Sequence, residues 1–183
     1  MIIIRRAQPG DATAIGAVHV AAWRSTYAGI LPQDYLTGLS AVRQAAHYQA
    51  AIRGGIGVYV AVHTDADPAA SMIVGFATAG RARQGAGAPA DGEIETLYVL
   101  DDWRDRGIGR RLMRAAADHL GEMACHAVFL WVLRDNPSRW FYTRLGGKPA
   151  AEATIQVGGQ DIIQTAYVWD PIDRLAEATA TER

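Results

Sequence analysis

The fold of this chain is decided by Asp-Gly-Glu-Ile-Glu-Thr-Leu-Tyr-Val-Leu-Asp-Asp-Trp-Arg-Asp-Arg-Gly-Ile-Gly-Arg-Arg-Leu, residues 91–112. The first half is rich in β-branched and aromatic residues and predicts a strand, whereas the second half contains glycines and opens a helix. At such a junction, backbone N–H groups point outward from the helix N-terminus, where the helix dipole favours negative charge. The stretch therefore predicts a binding site for a phosphate or diphosphate group.

The composition predicts one globular domain. The chain has 183 residues, of which 50% are hydrophobic and 20% charged, and this is enough for one sizeable core. Its formal net charge of −1 does not supply the basic field that nucleic-acid binding needs. Cys125 is the single cysteine, which fits a reducing compartment. Because the sequence contains no apolar run of membrane-spanning or signal-peptide length, we expect a cytoplasmic protein that binds neither nucleic acid nor a membrane.

Hydrophobic periodicity predicts strands and helices over most of the chain. Strands are predicted at residues 2–6, 56–64, 72–79, 93–99, 127–133, 154–157 and 162–169, and helices at 11–27, 33–52, 107–123 and 137–145. The order β-α-α-β-β-β-α-β-α-β-β predicts an α+β (α/β layered) fold, with a mixed sheet flanked by helices. We expect one domain over residues 1–170 and a short helix and tail over 171–183. A turn is expected at 65–68 and an insertion loop at 81–91.

Three kinds of phosphate-binding loop can be compared with residues 104–112. A triphosphate loop needs a lysine and a hydroxyl residue after its last glycine, but two arginines follow here. A dinucleotide-binding loop needs a third glycine where this chain has Leu112, and it lies near the start of its domain. The pattern that remains is Arg-x-x-Gly-x-Gly at residues 104–109.

This pattern resembles the acetyl-CoA-binding motif of the GNAT superfamily of N-acetyltransferases, in which Gln or Arg precedes the glycines shortly after a strand such as Leu-Tyr-Val at 97–99. The Asn-Pro-Ser-Arg-Trp-Phe-Tyr-Thr-Arg-Leu-Gly segment at 136–146 is similar to a second family motif. Gly147 replaces the aromatic residue that often closes that motif. Residues 19–27 also resemble the first helix of many bacterial members. The resemblance covers residues 2–169.

The resemblance implies a mostly antiparallel central sheet and acetyl-CoA as the co-substrate. The implied cofactor-binding residues are Leu97, Tyr98, Val99, Arg104, Asp105, Arg106, Gly107, Ile108, Gly109, Arg110, Arg111, Asn136 and Arg139. Amides of residues 106–111 would hold the diphosphate, and the strand end would pair with the pantetheine arm and offer an oxyanion donor near Val99. A solvated helix face is the alternative for Arg110 and Arg111, and a helix cap is the alternative for Asn136. The five histidines have no metal-ligand spacing, so no metal is expected.

Acetyl transfer to an amine requires a base for the amine and a proton for the departing thiolate. Glu93 and Glu95 share strand parity with Leu97 and Val99, so we expect their carboxylates to lie on the same face as the cofactor-binding strand end. Glu93 matches the strand glutamate that is the base in some family members, and Glu95 is the second candidate. Their alternative is an exposed salt-bridging face. Tyr142 matches the family's general-acid tyrosine, and its alternative is aromatic packing.

Trp23 and Tyr27 lie four residues apart and so share one face of the first predicted helix. The resemblance implies that this helix borders the acceptor site, where an aromatic pair would hold a cationic amine. A helix-on-sheet contact is the alternative. The sequence does not distinguish a small-molecule amine from a peptide or protein amine, and a non-catalytic acyl-CoA-binding sensor is the alternative function. A homodimer through the C-terminal strands is compatible with the sequence.

Overall fold

A computed structural model describes residues 1–64, 71–83 and 87–180. The helices and strands in these ranges are β1 (Ile2–Arg6), α1 (Ala12–Thr26), α2 (Gln33–Thr37), α3 (Ala41–Arg53), β2 (Gly57–His63), β3 (Met72–Arg81), β4 (Gly92–Val99), α4 (Ile108–Glu122), β5 (Val128–Leu133), α5 (Arg139–Arg144), β6 (Lys148–Val157), β7 (Gln160–Trp169) and α6 (Asp173–Ala178). The turn predicted at 65–68 and part of the loop predicted at 81–91 lie outside the described residues. Within the described ranges, no helix has the length and apolar content to cross a bilayer.

The strands form one sheet in the order β1-β2-β3-β4-β5-β7-β6. Only β4 and β5 are parallel neighbours, and the other pairs are antiparallel. On one face, Ile15 of α1 and Tyr48 of α3 pack with Phe76 of β3. On the other face, Leu112 of α4 packs with Val74. The predicted mixed, mostly antiparallel sheet flanked by helices is confirmed.

The single helix predicted at 33–52 is wrong, because two helices with a break occupy this segment. Gly38 ends α2, and Ser40 begins α3 by accepting a hydrogen bond from the N–H of Arg43 at 3.3 Å. A serine cap offers its hydroxyl to an N–H that has no intrahelical partner, so it favours a new helix over continuation. Val42, in the first turn of α3, is 79% exposed.

Strands β4 and β5 diverge after a short paired segment. Only Gly92 with Val128 and Glu93 with Phe129 are in register. The Asp91 carboxylate holds the paired end together, because it accepts hydrogen bonds from the N–H groups of His126 and Ala127, each at 2.9 Å. Beyond the paired end, the edge of β4 facing β5 has no strand partner. This opening between parallel strands creates a cleft.

A β-bulge in β4 changes which side chains share a face. Thr96 pairs with Thr78 and Ile94 pairs with Ala79, so Glu95 has no partner residue on β3. One extra residue in a strand interrupts the alternation of side chains. The prediction that Glu93 and Glu95 share a face with Leu97 and Val99 is therefore wrong. Leu97 and Val99 pack beside Ile108 and Leu112 of α4, whereas both glutamates line a cavity on the opposite face.

Candidate active site

The cleft between β4 and β5 has a volume of about 370 Å³ and is bordered by two facing walls and two sides. Residues 94–99 of β4 form one wall and residues 130–132 of β5 form the facing wall. The glycine loop before α4 and the segment from Asn136 into α5 close its two sides. Its volume falls within the range of small-molecule sites. The cleft therefore brings both predicted motifs to the unpaired edge of β4.

The loop before α4 presents a row of free backbone donors. Asp105 has φ of 58° and Gly107 has φ of 73°, so both adopt the left-handed conformation. Left-handed residues placed between right-handed ones are typical of turns in which successive N–H groups point to the same side. Among the described residues, none accepts a hydrogen bond from the N–H groups of residues 105–110. Such a concave row of amides, continued by a helix N-terminus, is a binding site for an anion.

The two glycines of the loop have different physical roles. Gly107 has a left-handed backbone conformation, which residues with a Cβ adopt only at a cost in conformational energy. Gly109 lies on α4 where a Cβ would be 3.3 Å from Cζ of Phe141. Gly109 therefore allows α4 and α5 to approach each other across the base of the cleft, and the glycine pattern serves helix packing as well as the approach of a ligand to the backbone.

Arg104 and Arg110 line the cleft, as predicted. Nη2 of Arg104 donates to Thr26 at 2.8 Å and pairs with Asp101 at 2.8 Å, so this side chain ties the loop to the end of α1. The Arg110 guanidinium donates through Nη2 to the carbonyl of Ala180. Its Nε is buried and has no partner within the described part of the chain. A buried cationic donor without an acceptor fits a site built for an anion.

Three predicted cofactor-binding arginines are placed elsewhere. Arg111 donates through its guanidinium to the carbonyl of Ile2 at 3.2 Å, and its backbone N–H bonds to the carbonyl of Gly107, so this N–H does not belong to the free row. The Arg139 side chain donates to the carbonyl of Arg134 at 2.9 Å. Arg106 lies over the ring of Trp103 at 4.9 Å. None of the three lines the cleft, so their side chains contact other parts of the protein here, and their direct role in cofactor binding stays a prediction. The N–H of Arg106 still belongs to the free row.

Asn136 lines the cleft and stabilises the turn before α5, whose N-cap residue is Ser138. Its Oδ1 accepts a hydrogen bond from the N–H of Ser138 at 2.9 Å, and its Nδ2 donates to the hydroxyl of Tyr27 at 3.4 Å. Helix α5 itself begins at Arg139, later than predicted. Gly147, where the family often has an aromatic residue, has a packing reason, because a Cβ there would lie 2.6 Å from the Trp169 ring.

Tyr142 reaches the cleft from α5 and is 7% exposed. Its ring packs beside Tyr167 and Trp169, so both the aromatic packing and the position in the cleft are observed. Its hydroxyl has no hydrogen-bond partner among the residues described. Burial raises the pKa of Tyr142 above its ordinary value, and nearby Tyr27 adds to this effect. The phenol is therefore a neutral donor at neutral pH.

A second cavity of about 510 Å³ lies on the other face of β4. Trp23 and Tyr27 of the first helix line it together, in an edge-to-face arrangement with ring centroids 4.9 Å apart. Four residues line this cavity and also the cleft: Tyr27, Glu95, Tyr98 and Trp131. The two spaces therefore meet at the bulge in β4, and they can hold two ligands side by side.

Glu93 and Glu95 have different surroundings despite sharing the second cavity. The Glu93 side chain is 6% exposed and accepts from the Arg83 guanidinium at 3.2 Å. The Glu95 side chain is 25% exposed and lies 3.9 Å from the same guanidinium. The Arg83 guanidinium therefore lies next to both carboxylates and places a positive charge between them. Glu95 lines both spaces, whereas Glu93 lines only the second cavity.

Several lining residues were missed by the sequence reasoning. The two spaces are also bordered by Arg83, Trp131, Trp140 and Arg144, and by Tyr98 on the side of the second cavity. Trp140 and Arg144 lie within the second motif, four residues apart, and Arg144 follows Phe141 by three, so this helical spacing offered a signal. Arg83 and Trp131 offered none, because they lie on separate strands or loops. No cluster of potential metal ligands occurs in the described ranges of the chain.

Comparison with known proteins agrees with this geometry. A family model described as the acetyltransferase (GNAT) family matches residues 20–147. The chain belongs to the GNAT acetyltransferase family. It is 31% identical over 175 residues to the uncharacterized N-acetyltransferase YuaI of Bacillus subtilis, and the match covers 96% of each chain. The predictions of a GNAT family member and an N-acetyltransferase are confirmed.

Solved structures of GNAT proteins share the fold. YncA of Salmonella typhimurium, solved with its cofactor acetyl-CoA, has a TM-score of 0.67 and 20% identity, over 92% of this chain and 93% of that one. The PaiA N-acetyltransferase of Thermoplasma acidophilum, solved with coenzyme A, has a TM-score of 0.66 and 21% identity, over 90% of this chain and 98% of that one. At these identities the likeness concerns the fold.

Proposed function

We propose that this GNAT protein transfers the acetyl group of acetyl-CoA to a primary amine, by direct attack within a complex that holds both substrates. The single observation that carries the proposal is the junction of the two spaces at Glu95, beside the unpaired edge of β4. A thioester in the cleft and an amine in the second cavity would meet at this junction. No covalent enzyme intermediate is then needed, and Cys125, which lines neither space, has no role in the reaction.

Main-chain groups bind acetyl-CoA in this proposal. The free N–H groups of residues 105–110 and the buried Nε of Arg110 hold the diphosphate. The unpaired edge of β4 offers backbone donors and acceptors to the amide groups of the pantetheine arm, as a further strand would. Asn136 lies on the opposite side of the cleft and is the second polar group for this arm. A backbone donor near Val99 stabilises the negative charge that develops on the thioester oxygen.

Glu95 is the general base in this proposal, and Glu93 is a positioning residue. Glu95 borders both spaces and accepts a proton from the ammonium form of the amine. Glu93 is more buried and forms an ion pair with the Arg83 guanidinium. It therefore keeps the positive charge of Arg83 next to Glu95. The free amine then attacks the carbonyl carbon, a C–N bond forms, and the C–S bond breaks. The new amide nitrogen loses its extra proton to solvent.

Tyr142 is the general acid. Its hydroxyl borders the cleft without an internal partner, and the raised pKa keeps it protonated. It donates a proton to the departing thiolate sulfur and regains one from solvent. This step matters because protonation of the sulfur as the C–S bond breaks makes it a better leaving group.

Release of free thiol from acetyl-CoA in the presence of an amine library tests the proposed function. We expect thiol release with at least one class of primary amine, and a loss of that release in Glu95→Gln. Calorimetric binding of acetyl-CoA without turnover of any amine would contradict the proposal and support the non-catalytic acyl-CoA-binding module instead.

A further inference from the structure

The second cavity, which we call the acceptor cavity, has its charged and its apolar side chains at opposite ends. Resting on the proposed function, we propose that its acceptor is a primary amine with one positive charge and an elongated apolar body, aliphatic or aromatic. The amine nitrogen lies at the Glu95 end and the body extends towards Leu133 and Val157.

The charge of the acceptor cavity matches one ammonium group. Its charged lining residues within the described ranges are Glu93, Glu95 and Arg83, which together carry a net charge of −1. Arg83 is engaged by both carboxylates, at 3.2 Å and 3.9 Å. One cation brings the sum to zero, whereas a second cation or an added carboxylate would leave a charge unpaired in a half-enclosed space.

The far end of the acceptor cavity is apolar. Leu31, Leu133 and Val157 form a cluster there, and all three are buried or nearly so. Leu133 lies four residues along β5 from Phe129, the register partner of Glu93, so Glu93 and the apolar end are about 13 Å apart at the usual rise of a strand, and Glu95, two residues further along the parallel strand β4, lies between them. Gln164 is the neutral polar side chain in this lining. The described lining provides no acidic side chain for a second amine at that end.

Aromatic rings form the middle of the acceptor cavity. One side of the cavity is formed by Trp23, Tyr27 and Tyr98. The ring centroid of Tyr27 lies 4.9 Å from that of Trp23, and the ring centroid of Tyr98 lies 6.3 Å from it. Phe129 and Trp131 stand on the strand side, 6.2 Å apart and nearly perpendicular. Rings in these orientations give apolar area to a hydrocarbon or aryl group and negative faces to a nearby ammonium. Apolar contact of this kind favours a substrate whose body is apolar, because the transfer of apolar surface out of water is favourable.

Two matched pairs of amines test the proposal with the wild-type enzyme. Octylamine and 1,8-diaminooctane have the same length and differ by one terminal charge. Phenethylamine and phenylalanine differ by one carboxylate. Thiol release at saturating acetyl-CoA should give kcat/KM values at least about tenfold higher for octylamine and phenethylamine than for their partners, because each partner brings an extra charge into the cavity. Calorimetry of the same amines with the protein and coenzyme A measures binding apart from turnover.

A carboxylate at the apolar end should change this preference. Ile155 is half-buried in that lining, on the edge strand β6. We expect Ile155→Glu to raise the kcat/KM ratio of 1,8-diaminooctane to octylamine by about tenfold, through a partner for the second ammonium. Ile155→Gln, of matched size and without charge, should leave the ratio close to that of the wild type.

The outcomes separate this proposal from the proposed function. Thiol release that is faster with diamines or amino acids than with their apolar partners would overturn the acceptor class and leave the acetyltransferase intact. Turnover of peptide amines alone would also overturn it, in favour of a protein acceptor. Acetyl-CoA binding without release for any amine would contradict the proposed function itself, and equal calorimetric affinities for both members of each pair would then overturn the acceptor class independently.

Discussion

The cleft and the acceptor cavity lie on either side of the same strand but are built from different parts of the chain. The part of the cleft proposed to hold the diphosphate consists of backbone N–H groups from one continuous segment, residues 105–110. The acceptor cavity consists of side chains from α1, β4, β5, β6, β7 and the loop after β3. A backbone site constrains the sequence only where conformation matters, as at Gly107. A side-chain site can change its ligand through single substitutions without altering the fold.

Tyr142 gives the largest expected effect and tests whether the junction of the two spaces performs chemistry. Tyr142→Phe removes the only group proposed to protonate the thiolate, so we expect kcat to fall by about 100-fold to 10,000-fold. The dissociation constant of acetyl-CoA, measured by calorimetry, should change little. Tyr167→Phe is the matched control, since this buried neighbour lines neither space. An unchanged kcat in Tyr142→Phe would remove the tyrosine from the mechanism.

The two glutamates sharpen the comparison within the acceptor cavity. Glu95→Gln should lower kcat by about 100-fold, because Glu95 borders both substrates. Glu93→Gln should act mainly on the KM of the amine, because it releases Arg83 from its closest partner. Steady-state kinetics with one reactive amine measures both. If Glu93→Gln loses more kcat than Glu95→Gln, Glu93 is the base.

His19 is a buried histidine next to the acceptor cavity, and it should make the stability of the protein depend on pH. It stacks on Trp23 with centroids 5.2 Å apart, and its Nδ1 lies 2.7 Å from the hydroxyl of Tyr48. Burial lowers the pKa of His19 to about 4, and His47 adds to this. Below pH 6.5 the unfolded chain takes up a proton that the native side chain resists until about pH 4. The free energy of unfolding should therefore fall by up to about 3 kcal/mol as the pH drops through this window.

Chemical denaturation of His19→Gln between pH 7 and pH 4 measures this effect. We expect the variant to be less stable at pH 7 but to have a shallower pH dependence than the wild type. The exposed His126 offers the control substitution His126→Gln, which should keep the wild-type slope. An identical slope in all three proteins would show that His19 is not the group that titrates.

Gly107 gives the smallest expected effect and tests the backbone site alone. Gly107→Ala forces a Cβ into the left-handed region, which costs about 1–2 kcal/mol of stability. A turn that relaxes from this conformation also misaligns the free N–H row, so acetyl-CoA should bind more weakly. Gly121→Ala, at a helical glycine with open space around it, should be neutral or slightly stabilising. Thermal unfolding and calorimetry of both variants check this. Unaltered acetyl-CoA binding in Gly107→Ala would argue against a role of the free N–H groups of residues 105–110 in binding the diphosphate.

The cofactor side was the more predictable part of the molecule. Strand β4, the helix that follows it and the glycine loop were all expected, because local propensity and a continuous motif act over neighbouring residues. The arginines show where this reasoning ends: Arg104 and Arg110 line the cleft, whereas Arg111 and Arg139 bind carbonyl groups on other elements. A motif predicts the path of the backbone, but a long side chain finds its partner in three dimensions. The homodimer through the C-terminal strands stays a prediction.

The amino-acid sequence by itself determined the order of the strands, most of the helices, the glycine-containing turn before α4 and the family, since each depends on residues close together in the chain. The tertiary structure alone decided which face of β4 carries Glu93 and Glu95, because a single bulge at Glu95 reverses an alternation that parity predicts. It also decided that Arg83, Trp23 and Trp131 surround one space. Such contacts join residues far apart in sequence, and they form only when the whole sheet is folded.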